Sequence, residues 1–509
     1  MKPFNFHSEL KDFFRWGFLM LNSLAFAQEY KQPQFISGEI ISSARNTPIP
    51  VFCSDSSVFV TYKTRFKRAS KSEFAFAEYR TSDLKLIREN LIVSQARSSQ
   101  DGISVVPYKK FYSPKGIFEI GSFYDSRRIE KSYFIRKTTW QSFETSPWIP
   151  IWKSKDKRYK NHFPNFRFSH DSTSLLGTFE IFKHPDSLGL QLLRVDLNNL
   201  QIDSSPIPSM LTEKGQFLEG FSEFENGKLG LIVTNRFNGA TAQKEFWIFN
   251  PQNHSIRKFT IPIDAGNAEF KMIKRRNSML IFALEFPINR SIFHQVRRWE
   301  IHSDSELLIE KIPISLNSQQ IKSVTQSFHR LSGHWIGLQR NNQRNFKIFN
   351  IILKNNEEVL VIQAFDQYEK CSQVSRGIPN CNWVYSYGDV LLITIHPDST
   401  EAKLCVFPRY REYDVPLLQG DAGFSFFQNG ELKFLFGDEY STHKKRRKTP
   451  SCVILSPQWN QNWRKELVFI NKKENLFLDE TTGMNTDQKH LIFGGLKNKK
   501  STLIKINLE

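Results

Sequence analysis

The sequence predicts an all-β fold built from one repeating unit, and three observations support this expectation. Phe alone contributes 46 of the 509 residues, and aromatic residues of this kind favour strands. An apolar run, a tight polar turn and a second apolar run recur about every fifty residues, a period typical of repeat folds. Asn-Gly pairs at 226–227 and 429–430 stand between apolar runs. They predict β-hairpins with type I′ turns, in which both central residues need positive φ.

Nine candidate turns mark the repeats. They are centred on Asp55, Pro114, Asp171, Asn226, Asn277, Gly333, Gly388, Asn429 and Asp487. An apolar strand follows each turn, and further strands such as Leu190–Leu197 and Phe346–Leu353 complete the unit. Four antiparallel strands joined by short turns form one blade of a β-propeller. Solenoids are the competing repeat folds, but leucine-rich repeats are shorter and helical repeats need a 3.6-residue periodicity that these units lack.

The expected architecture is a single closed β-propeller of four-stranded antiparallel blades that occupies residues 28–509. Propellers usually contain about four to eight blades. One of the nine turns is therefore expected to be an internal loop, which gives about eight blades, with seven to nine possible. The final repeat is short of one strand, and the early run Phe35–Ile41 is expected to complete it as the outer strand.

Residues 1–27 have the pattern of a signal peptide. Three cations (Lys2, Lys11 and Arg15) precede the apolar run Trp16–Leu21, and Ala25-Phe26-Ala27 offers a cleavage site. A buried N-terminal helix is the alternative, because Glu9 and Asp12 are unusual in a leader. Export predicts a location in the periplasm, on the outer surface or outside the cell. No run reaches about 18 apolar residues, so no transmembrane segment is expected in the mature chain.

The five cysteines cannot all pair within the chain because their number is odd. Cys371 and Cys381 bracket a polar loop, and a disulfide that closed it would stabilise the fold by about 2.5–3 kcal/mol in the chain-entropy model. An exported protein permits that bond. Cys53, Cys405 and Cys452 lie in or beside apolar runs and are expected to be small buried hydrophobes.

The segment Phe168-Ser169-His170-Asp171-Ser172-Thr173-Ser174-Leu175 resembles the F-S-x-D-S/G-x-x-L signature of WD40-like, TolB-type propeller repeats, and Ser54–Val58 is a partial second copy. The resemblance implies a propeller. TolB-like proteins would add a periplasmic protein-binding role, although no separate N-terminal α/β domain is obvious here. The peptidases that share the repeat would add an α/β-hydrolase domain with a G-x-S-x-G elbow, and the sequence contains none. Fold alone does not determine activity.

The formal net charge of +19 is concentrated in clusters. The densest cluster consists of Lys444, Lys445, Arg446, Arg447 and Lys448. Clustered cations attract polyanions, so these residues are candidates for binding an acidic glycan, lipopolysaccharide or an anionic membrane surface. Nucleic acid would be the polyanion only for a cytosolic protein and is the less expected partner. The simpler interpretation is a solvated surface.

Trp140, Trp148 and Trp152 are candidates for an aromatic contact surface, because exposed tryptophans stack on sugar rings or anchor protein partners. Packing between blades is the alternative. No cofactor or metal is expected, because the sequence lacks nucleotide-binding loops and the histidine pairs lack further ligands in a recognisable pattern.

The function expected from these features is that of an exported, non-enzymatic binding or scaffold module for protein or acidic glycan at the cell envelope. The alternative is a propeller-fold hydrolase or lyase that acts on acidic polysaccharide. Carboxylate pairs such as Asp438-Glu439 and Asp479-Glu480 would matter for hydrolysis only if two carboxylates faced each other at a suitable distance.

Overall fold

A computed structural model of the chain shows 34 strands, grouped into eight antiparallel sheets, and one helix among the residues that it describes. The described residues are 34–42, 44, 47–64, 74–92, 98–100, 103–155, 164–184, 187–212, 216–235, 243–264, 268–275, 277–287, 292–305, 307–332, 346–354, 357–373, 379–396, 399–413, 423–428, 430–437, 451–456, 464–469, 476–485, 490–498 and 500–508.

The first strand of the chain is set apart from the blades that follow it, and blades 1 to 4 come next in chain order. Strand β1 is Gln34–Ser37. Blade 1 contains β2 (Ile49–Cys53), β3 (Ser57–Lys63), β4 (Phe74–Arg80) and β5 (Leu86–Ile92). Blade 2 contains β6 (Ser98–Gln100), β7 (Ile103–Ser113), β8 (Gly116–Asp125), β9 (Glu130–Thr138) and β10 (Ile149–Ser154). Blade 3 contains β11 (Asn165–Phe168), β12 (Ser174–His184), β13 (Ser187–Asp196) and β14 (Ile202–Thr212). Blade 4 contains β15 (Gln216–Glu223), β16 (Leu229–Asn235), β17 (Gln243–Asn250) and β18 (Ser255–Asp264).

Blades 5 to 8 repeat the same order, and the helix lies between blades 5 and 6. Blade 5 contains β19 (Ala268–Arg275), β20 (Ser278–Glu285), β21 (Gln295–His302) and β22 (Leu308–Ser315), and α1 is Ser318–Ser332. Blade 6 contains β23 (Phe346–Lys354), β24 (Glu357–Gln373), β25 (Pro379–Ile395), β26 (Ala402–Phe407) and β27 (Arg411–Tyr413). Blade 7 contains β28 (Phe424–Gln428), β29 (Glu431–Gly437), β30 (Ser451–Ser456) and β31 (Arg464–Phe469). Blade 8 contains β32 (Leu476–Asn485), β33 (His490–Lys497) and β34 (Lys500–Asn507), and β1 pairs with β34.

Middle strands of the blades, such as β16 and β20, are mainly apolar and buried because both faces of each sheet are covered by neighbouring blades. All seven residues of β16 are buried, and seven of the eight residues of β20 are buried. An outer strand such as β22 instead alternates with exposed positions. The continuous apolar runs in the sequence therefore correspond to strands buried on two faces, and the more polar runs correspond to the rim.

Apolar clusters join every blade to the next one, including the last blade to the first. Each of the eight neighbouring pairs shares one such cluster. At the junction between blades 8 and 1, Ile492 and Leu503 pack with Val58 and Val60. The eight sheets consequently close into a ring, which confirms the predicted eight-bladed β-propeller.

Strand β1 supplies the outer strand of blade 8, as the sequence predicted for the run Phe35–Ile41. Phe35 pairs with Ile506 in antiparallel register. Just after the strand, the Gly38 N–H donates to the Leu503 carbonyl at 2.9 Å. The Thr502 hydroxyl donates to the Gly38 carbonyl at 3.0 Å. The two ends of the chain therefore share one sheet.

The residues that resemble the TolB-type signature build the first turn of blade 3. The Asp171 carboxylate accepts hydrogen bonds from the Ser169 hydroxyl at 2.7 Å and from the Thr173 N–H at 3.0 Å. These bonds lower the pKa of Asp171 to about 2. The Ser169 hydroxyl oxygen in turn accepts from the Ser174 N–H at 2.9 Å. The signature residues therefore stabilise a turn, which explains why they report on fold and not on activity.

The Asn226-Gly227 hairpin is present, but its turn is not the predicted type I′. Gly227 has φ of +78°, whereas Asn226 is not among the described residues with positive φ. The Gly227 N–H donates to the Phe224 carbonyl at 3.1 Å, and the Phe224 N–H donates to the Lys228 carbonyl at 2.8 Å. This pattern is a type I turn followed by a glycine in the left-handed region, the second common way to connect two strands.

One of the nine candidate turns was wrong because blade 6 differs from the others. Gly388 lies inside strand β25, and Gly333 follows helix α1 and lies outside the described residues. Strands β23 and β24, the first two of blade 6, instead pair up to Lys354 and Glu357. The described strands form eight sheets, one for each blade.

Helix α1 was not predicted, although its sequence carries a start signal. The Asn317 and Gln320 side chains each accept a hydrogen bond from the other residue's backbone N–H, both at 2.9 Å, which forms a capping box. Val324 and Leu331 then enter the apolar cluster between blades 5 and 6. The helix is thus an insertion that covers one seam of the ring.

Candidate functional site

The first full strand of each blade lies closest to the axis of the ring. Contacts join first strands of neighbouring blades, including β15 with β19, β19 with β23, β28 with β32, and β2 with both β7 and β32. Side chains on these strands either enter the seams between blades or face the space around the axis. That inner space is where charged side chains of several blades approach one another.

Arg167 is the cation that blade 3 contributes. It lies on β11 between Phe166 and Phe168, and its side chain keeps accessible surface. Its guanidinium carbon is 5.7 Å from the ring centre of Phe221 on the next blade. Desolvation by the surrounding protein lowers its pKa. A side chain that is both accessible and desolvated is expected where it projects into a water-containing space enclosed by protein.

Gly220 on β15 leaves room beside Arg167. A Cβ atom added to Gly220 would have one heavy atom within 4 Å, Nη2 of Arg167 at 3.7 Å. The backbone there is not in the left-handed region, so the local conformation does not require glycine. The consequence of the missing side chain is open space next to the guanidinium.

Lys109 and Lys271 stand on either side of Arg167 around the ring. Lys109 of β7 donates from Nζ to the Phe166 carbonyl at 3.1 Å. Desolvation, followed by the positive charge of Arg167, lowers the pKa of Lys109. The same two causes lower the pKa of Lys271 on β19, against the opposing effect of Glu269. Arg167 therefore interacts electrostatically with blades on both sides.

Lys347 on β23 extends this group of cations to blade 6. Its Nζ lies 4.0 Å from the ring centre of Phe365. Desolvation lowers the pKa of Lys347, and Glu269 opposes that shift. Glu269 thus lies within electrostatic range of both Lys271 and Lys347.

Lys109, Arg167, Lys271 and Lys347 form what we name the cationic arc. Within the part of the chain that the structure describes, none of the four has an ion-pair partner within 4.0 Å. On the opposite side of the ring, strands β2 and β28 carry no charged residue, and β32 between them carries the acidic residues Asp479 and Glu480. The arc is therefore a one-sided concentration of positive charge in which like charges repel and solvation is incomplete. An anion that entered this space would be attracted by all four groups.

The arc was not predicted, although the sequence contains a pattern that indicates it. In three blades, one cation stands between apolar residues near the axis, in Phe166-Arg167-Phe168, Phe270-Lys271-Met272 and Phe346-Lys347-Ile348. A single charge inside an apolar strand is costly unless it reaches water or a partner. Its recurrence on the first strands of three blades would have indicated a shared site.

The three predicted contact tryptophans take part in packing. Trp140 is 6% exposed, donates from Nε1 to the Ser113 carbonyl at 2.7 Å, and stacks on Phe52. Trp148 is 5% exposed and lies under the Arg136 guanidinium. Trp152 is half-buried and stacks on Phe179 of blade 3 at a centroid distance of 4.9 Å. Their burial matches the packing interpretation that the sequence left open and leaves little surface for a partner.

The other predicted site residues have a different outcome. Lys444, Lys445, Arg446, Arg447 and Lys448 lie outside the described residues. The backbone register pairs Cys371 with Cys381 across strands β24 and β25. Directly opposed residues in an antiparallel pair have Cα atoms about 4.5–5.5 Å apart, which is within the range that a disulfide spans. The bond itself remains a prediction.

Two further features concern the described residues as a whole. No group of three or more His, Cys, Asp or Glu side chains there is arranged to hold a metal ion. No helix in the described part of the chain is long and apolar enough to cross a membrane.

The eight sheets and the seams that join them define the chain as a β-propeller. No protein-family model and no curated protein sequence match this chain. The β-propeller domain of the Trilobed protease from Pyrococcus furiosus is 10% identical, with a TM-score of 0.35 over 80% of this chain and 95% of that one. The polysaccharide lyase Uly1 is also 10% identical, with a TM-score of 0.37 over 96% of this chain and 95% of the lyase. A neuraminidase-like protein from A/bat/Guatemala/164/2009 is 10% identical, with a TM-score of 0.30 over 81% of this chain and 92% of that one. Similarity at this level does not extend to function.

Proposed function

We propose that the protein is an exported, non-enzymatic β-propeller that binds an anionic ligand at the cell envelope. The ligand is an acidic glycan or an acidic protein segment. The observation that supports this proposal is the cationic arc, four partly desolvated cations on the innermost strands of four blades, with Glu269 as the neighbouring carboxylate. The similarity to TolB-type repeats adds a periplasmic setting to the proposal.

Without a ligand, the positive charges of the arc are incompletely compensated. Charges removed from water need partners, and like charges brought together raise the free energy of the folded state. An anion between Arg167 and Lys271 relieves both costs, and Gly220 leaves the space for it. The ring holds these groups on strands, so little ordering of side chains is needed when the ligand binds.

The run of cations at residues 444–448, which lies outside the described residues, has a supporting role in this proposal. Five clustered cations would raise the rate at which polyanions encounter the protein. The arc would then determine which part of the ligand is held. Charges that are open to solvent are screened by salt more than the partly enclosed arc.

A binding experiment with matched variants tests the proposal. The purified protein is titrated with oligogalacturonate, a sulfated glycan and an acidic peptide at low and high salt. Lys271→Ala removes one arc cation, and Gly220→Glu places a carboxylate beside Arg167. Lys85→Ala, whose side chain is 63% exposed on the rim, changes the net charge by the same amount as Lys271→Ala and serves as the control.

The expected result is that the wild type and Lys85→Ala bind alike, whereas each arc variant loses affinity by about tenfold or more. A hydrogen bond to a charged group is worth about 1.5–3 kcal/mol, which corresponds to roughly 10- to 100-fold in Kd. Equal binding by all variants would contradict a role for the arc, and absence of binding to every anion would contradict the function.

A second function, cleavage of acidic polysaccharide, is favoured by one observation. Glu269 lies near two arc cations, an arrangement in which a carboxylate can act as a general base while cations stabilise the developing negative charge. Incubation with acidic polysaccharides, with Glu269→Gln as the control, tests it. Fragments produced by the wild type and not by Glu269→Gln would support an enzyme, and unchanged polymer length would leave the binding function.

A further inference from the structure

Blade 6 carries an arm that projects beyond the ring. Strands β24 and β25 are both 17 residues long, whereas β23 pairs with β24 only as far as Ala364. From Phe365 onward, β24 pairs with β25 alone, up to the pair Gln373 and Pro379. Strand β27 adds a third strand beside Tyr385–Tyr387. We name residues 365–373, 379–387 and 411–413 the arm.

One face of the arm is aromatic along its length. The register pairs Phe365 with Tyr387, Gln367 with Tyr385, and Glu369 with Trp383. Alternate residues of a strand share a face, and so do directly opposed residues. Phe365, Tyr387, Tyr385 and Trp383 therefore lie on the same face. Trp383 is 51% exposed, which is unusual for so large an apolar side chain.

This aromatic face begins at the cationic arc. The Lys347 Nζ lies 4.0 Å from the ring centre of Phe365, and Phe365 is 5.2 Å from Tyr387. Trp383 is four residues further along β25, which corresponds to roughly 13 Å at the rise of a strand. Phe365 and Tyr387 are themselves buried, at 6% and 1% exposed, so the accessible part of this face consists of Tyr385 and Trp383. Lys347 at the base and the exposed indole nearer the tip thus lie on the same side of blade 6.

The opposite face of the arm holds it in place. The Tyr368 and Tyr410 hydroxyls both donate to Oε1 of Glu412, at 2.7 Å and 2.6 Å. Desolvation, and then the hydrogen bond to Glu412, raises the pKa of Tyr368 to about 12. The tyrosines therefore stay protonated as donors under physiological conditions. Braced in this way, the arm presents its aromatic face without large ordering on binding.

We propose that the arm and the cationic arc together form one elongated site for an acidic polysaccharide. This inference rests on the function proposed above and names the ligand class. An acidic group lies at Lys347, and a sugar ring further along the same chain stacks on Trp383 through its apolar face.

Single-stranded nucleic acid also combines stacking with anionic groups, but it fits this surface less well. Its backbone carries one charge per nucleotide and is bound in grooves with cations along their length. On the arm, the positions of β24 opposite Tyr385 and Trp383 are Gln367 and Glu369. The cation that shares the aromatic face, Arg411 of β27, lies opposite Tyr387 at the base of the arm and not beside Trp383. A polymer whose charged groups are spaced between uncharged rings matches this pattern better.

The test is the dependence of affinity on ligand length. Binding is measured for galacturonate, for oligogalacturonates of increasing length, for sulfated oligosaccharides of the same lengths, and for oligodeoxythymidylate. The variants are Trp383→Ala, Trp383→Phe and Lys271→Ala. Ile312→Ala, at a 59% exposed apolar position on blade 5, is the matched control.

The wild type and Ile312→Ala should gain affinity for one of the two oligosaccharide series as the chain lengthens. Trp383→Ala should lose that gain, about tenfold for the longest chains, with little change for the monomer. Trp383→Phe should recover part of the loss, because an aromatic face is kept. Lys271→Ala should lose affinity at every length.

Three results would overturn the inference. If Trp383→Ala binds long oligosaccharides like the wild type and Lys271→Ala does not, the arm is not part of the binding site. The arc and the proposed function would remain intact. Stronger, Trp383-dependent binding of oligodeoxythymidylate at the same salt would assign the surface to nucleic acid. No binding of any acidic oligosaccharide, carboxylated or sulfated, would contradict the inference, and retained binding of the acidic peptide in that case would preserve the proposed function.

Discussion

The ion pair between Arg298 and Glu358 provides a quantitative test of how blades 5 and 6 are held together. Arg298 lies on β21 and Glu358 on β24, and Nη1 is 2.8 Å from Oε2. The two side chains are only 2% and 5% exposed. Lys271 and Lys347 stand on the first strands of the same two blades, so this pair helps to fix the distance between two arc cations.

Removing one partner leaves the other charge buried without compensation. At this degree of burial the expected cost is about 3–5 kcal/mol in the free energy of unfolding. Glu358→Gln keeps the shape and removes the charge, so it should show most of that cost. The double variant Arg298→Met/Glu358→Leu removes both charges and should be far more stable than the sum of the two single changes predicts.

Urea denaturation followed by tryptophan fluorescence measures these changes in a double-mutant cycle. An exposed pair supplies the control. Arg80 and Asp83 are 57% and 36% exposed at 3.2 Å, and Asp83→Asn should cost less than about 1 kcal/mol. A coupling energy below about 0.5 kcal/mol for Arg298 and Glu358 would refute the claim that they form a buried pair between blades.

Three further predictions concern the pair Cys371 and Cys381, the closure of the ring by β1 and the turn at Asp171. Oxidised protein should yield a peptide that joins Cys371 to Cys381 in mass spectrometry, whereas full alkylation of both thiols without reduction would exclude the bond. Removal of β1 leaves β34 as an exposed edge, so the shortened protein should lose stability and self-associate; an unchanged melting temperature and a monomer would argue against closure by β1. Asp171 has a folded pKa of about 2 against an ordinary value of 3.8, so its contribution to stability is present above about pH 4 and is lost as the pH falls towards 2. Asp171→Asn should remove that part of the acid-induced loss, and an identical acid profile would show that the turn is not held by this carboxylate.

Much of the ring was predictable because the repeat is a local pattern. A strand buried on both faces is mainly apolar, and a turn between two such strands is polar, so the positions of the blades can be predicted from the sequence. This reasoning failed for blade 6. The glycine at 388 lies within a long strand, and the sequence Lys354-Asn355-Asn356 that follows β23 resembles the sequences of later turns in other blades.

The cationic arc was much harder to predict than the fold. Lys109, Arg167, Lys271 and Lys347 come from four separate blades, and their proximity exists only after the ring has closed. A run of cations such as residues 444–448 can be recognised in the sequence, whereas a site assembled from single residues of separate blades cannot. The aromatic-rich segment of the sequence shows the converse, since Trp140 and Trp152 pack in seams between blades and Trp148 packs within blade 2.

The most direct test of the arc is an anomalous-diffraction map of crystals soaked in bromide, since bromide reports where an anion settles in the ring. The arc predicts an ordered bromide beside Gly220, within reach of Arg167 and Lys271, and its loss in crystals of Gly220→Glu. Bromide on the rim alone, with the interior of the ring free of anions, would contradict the account.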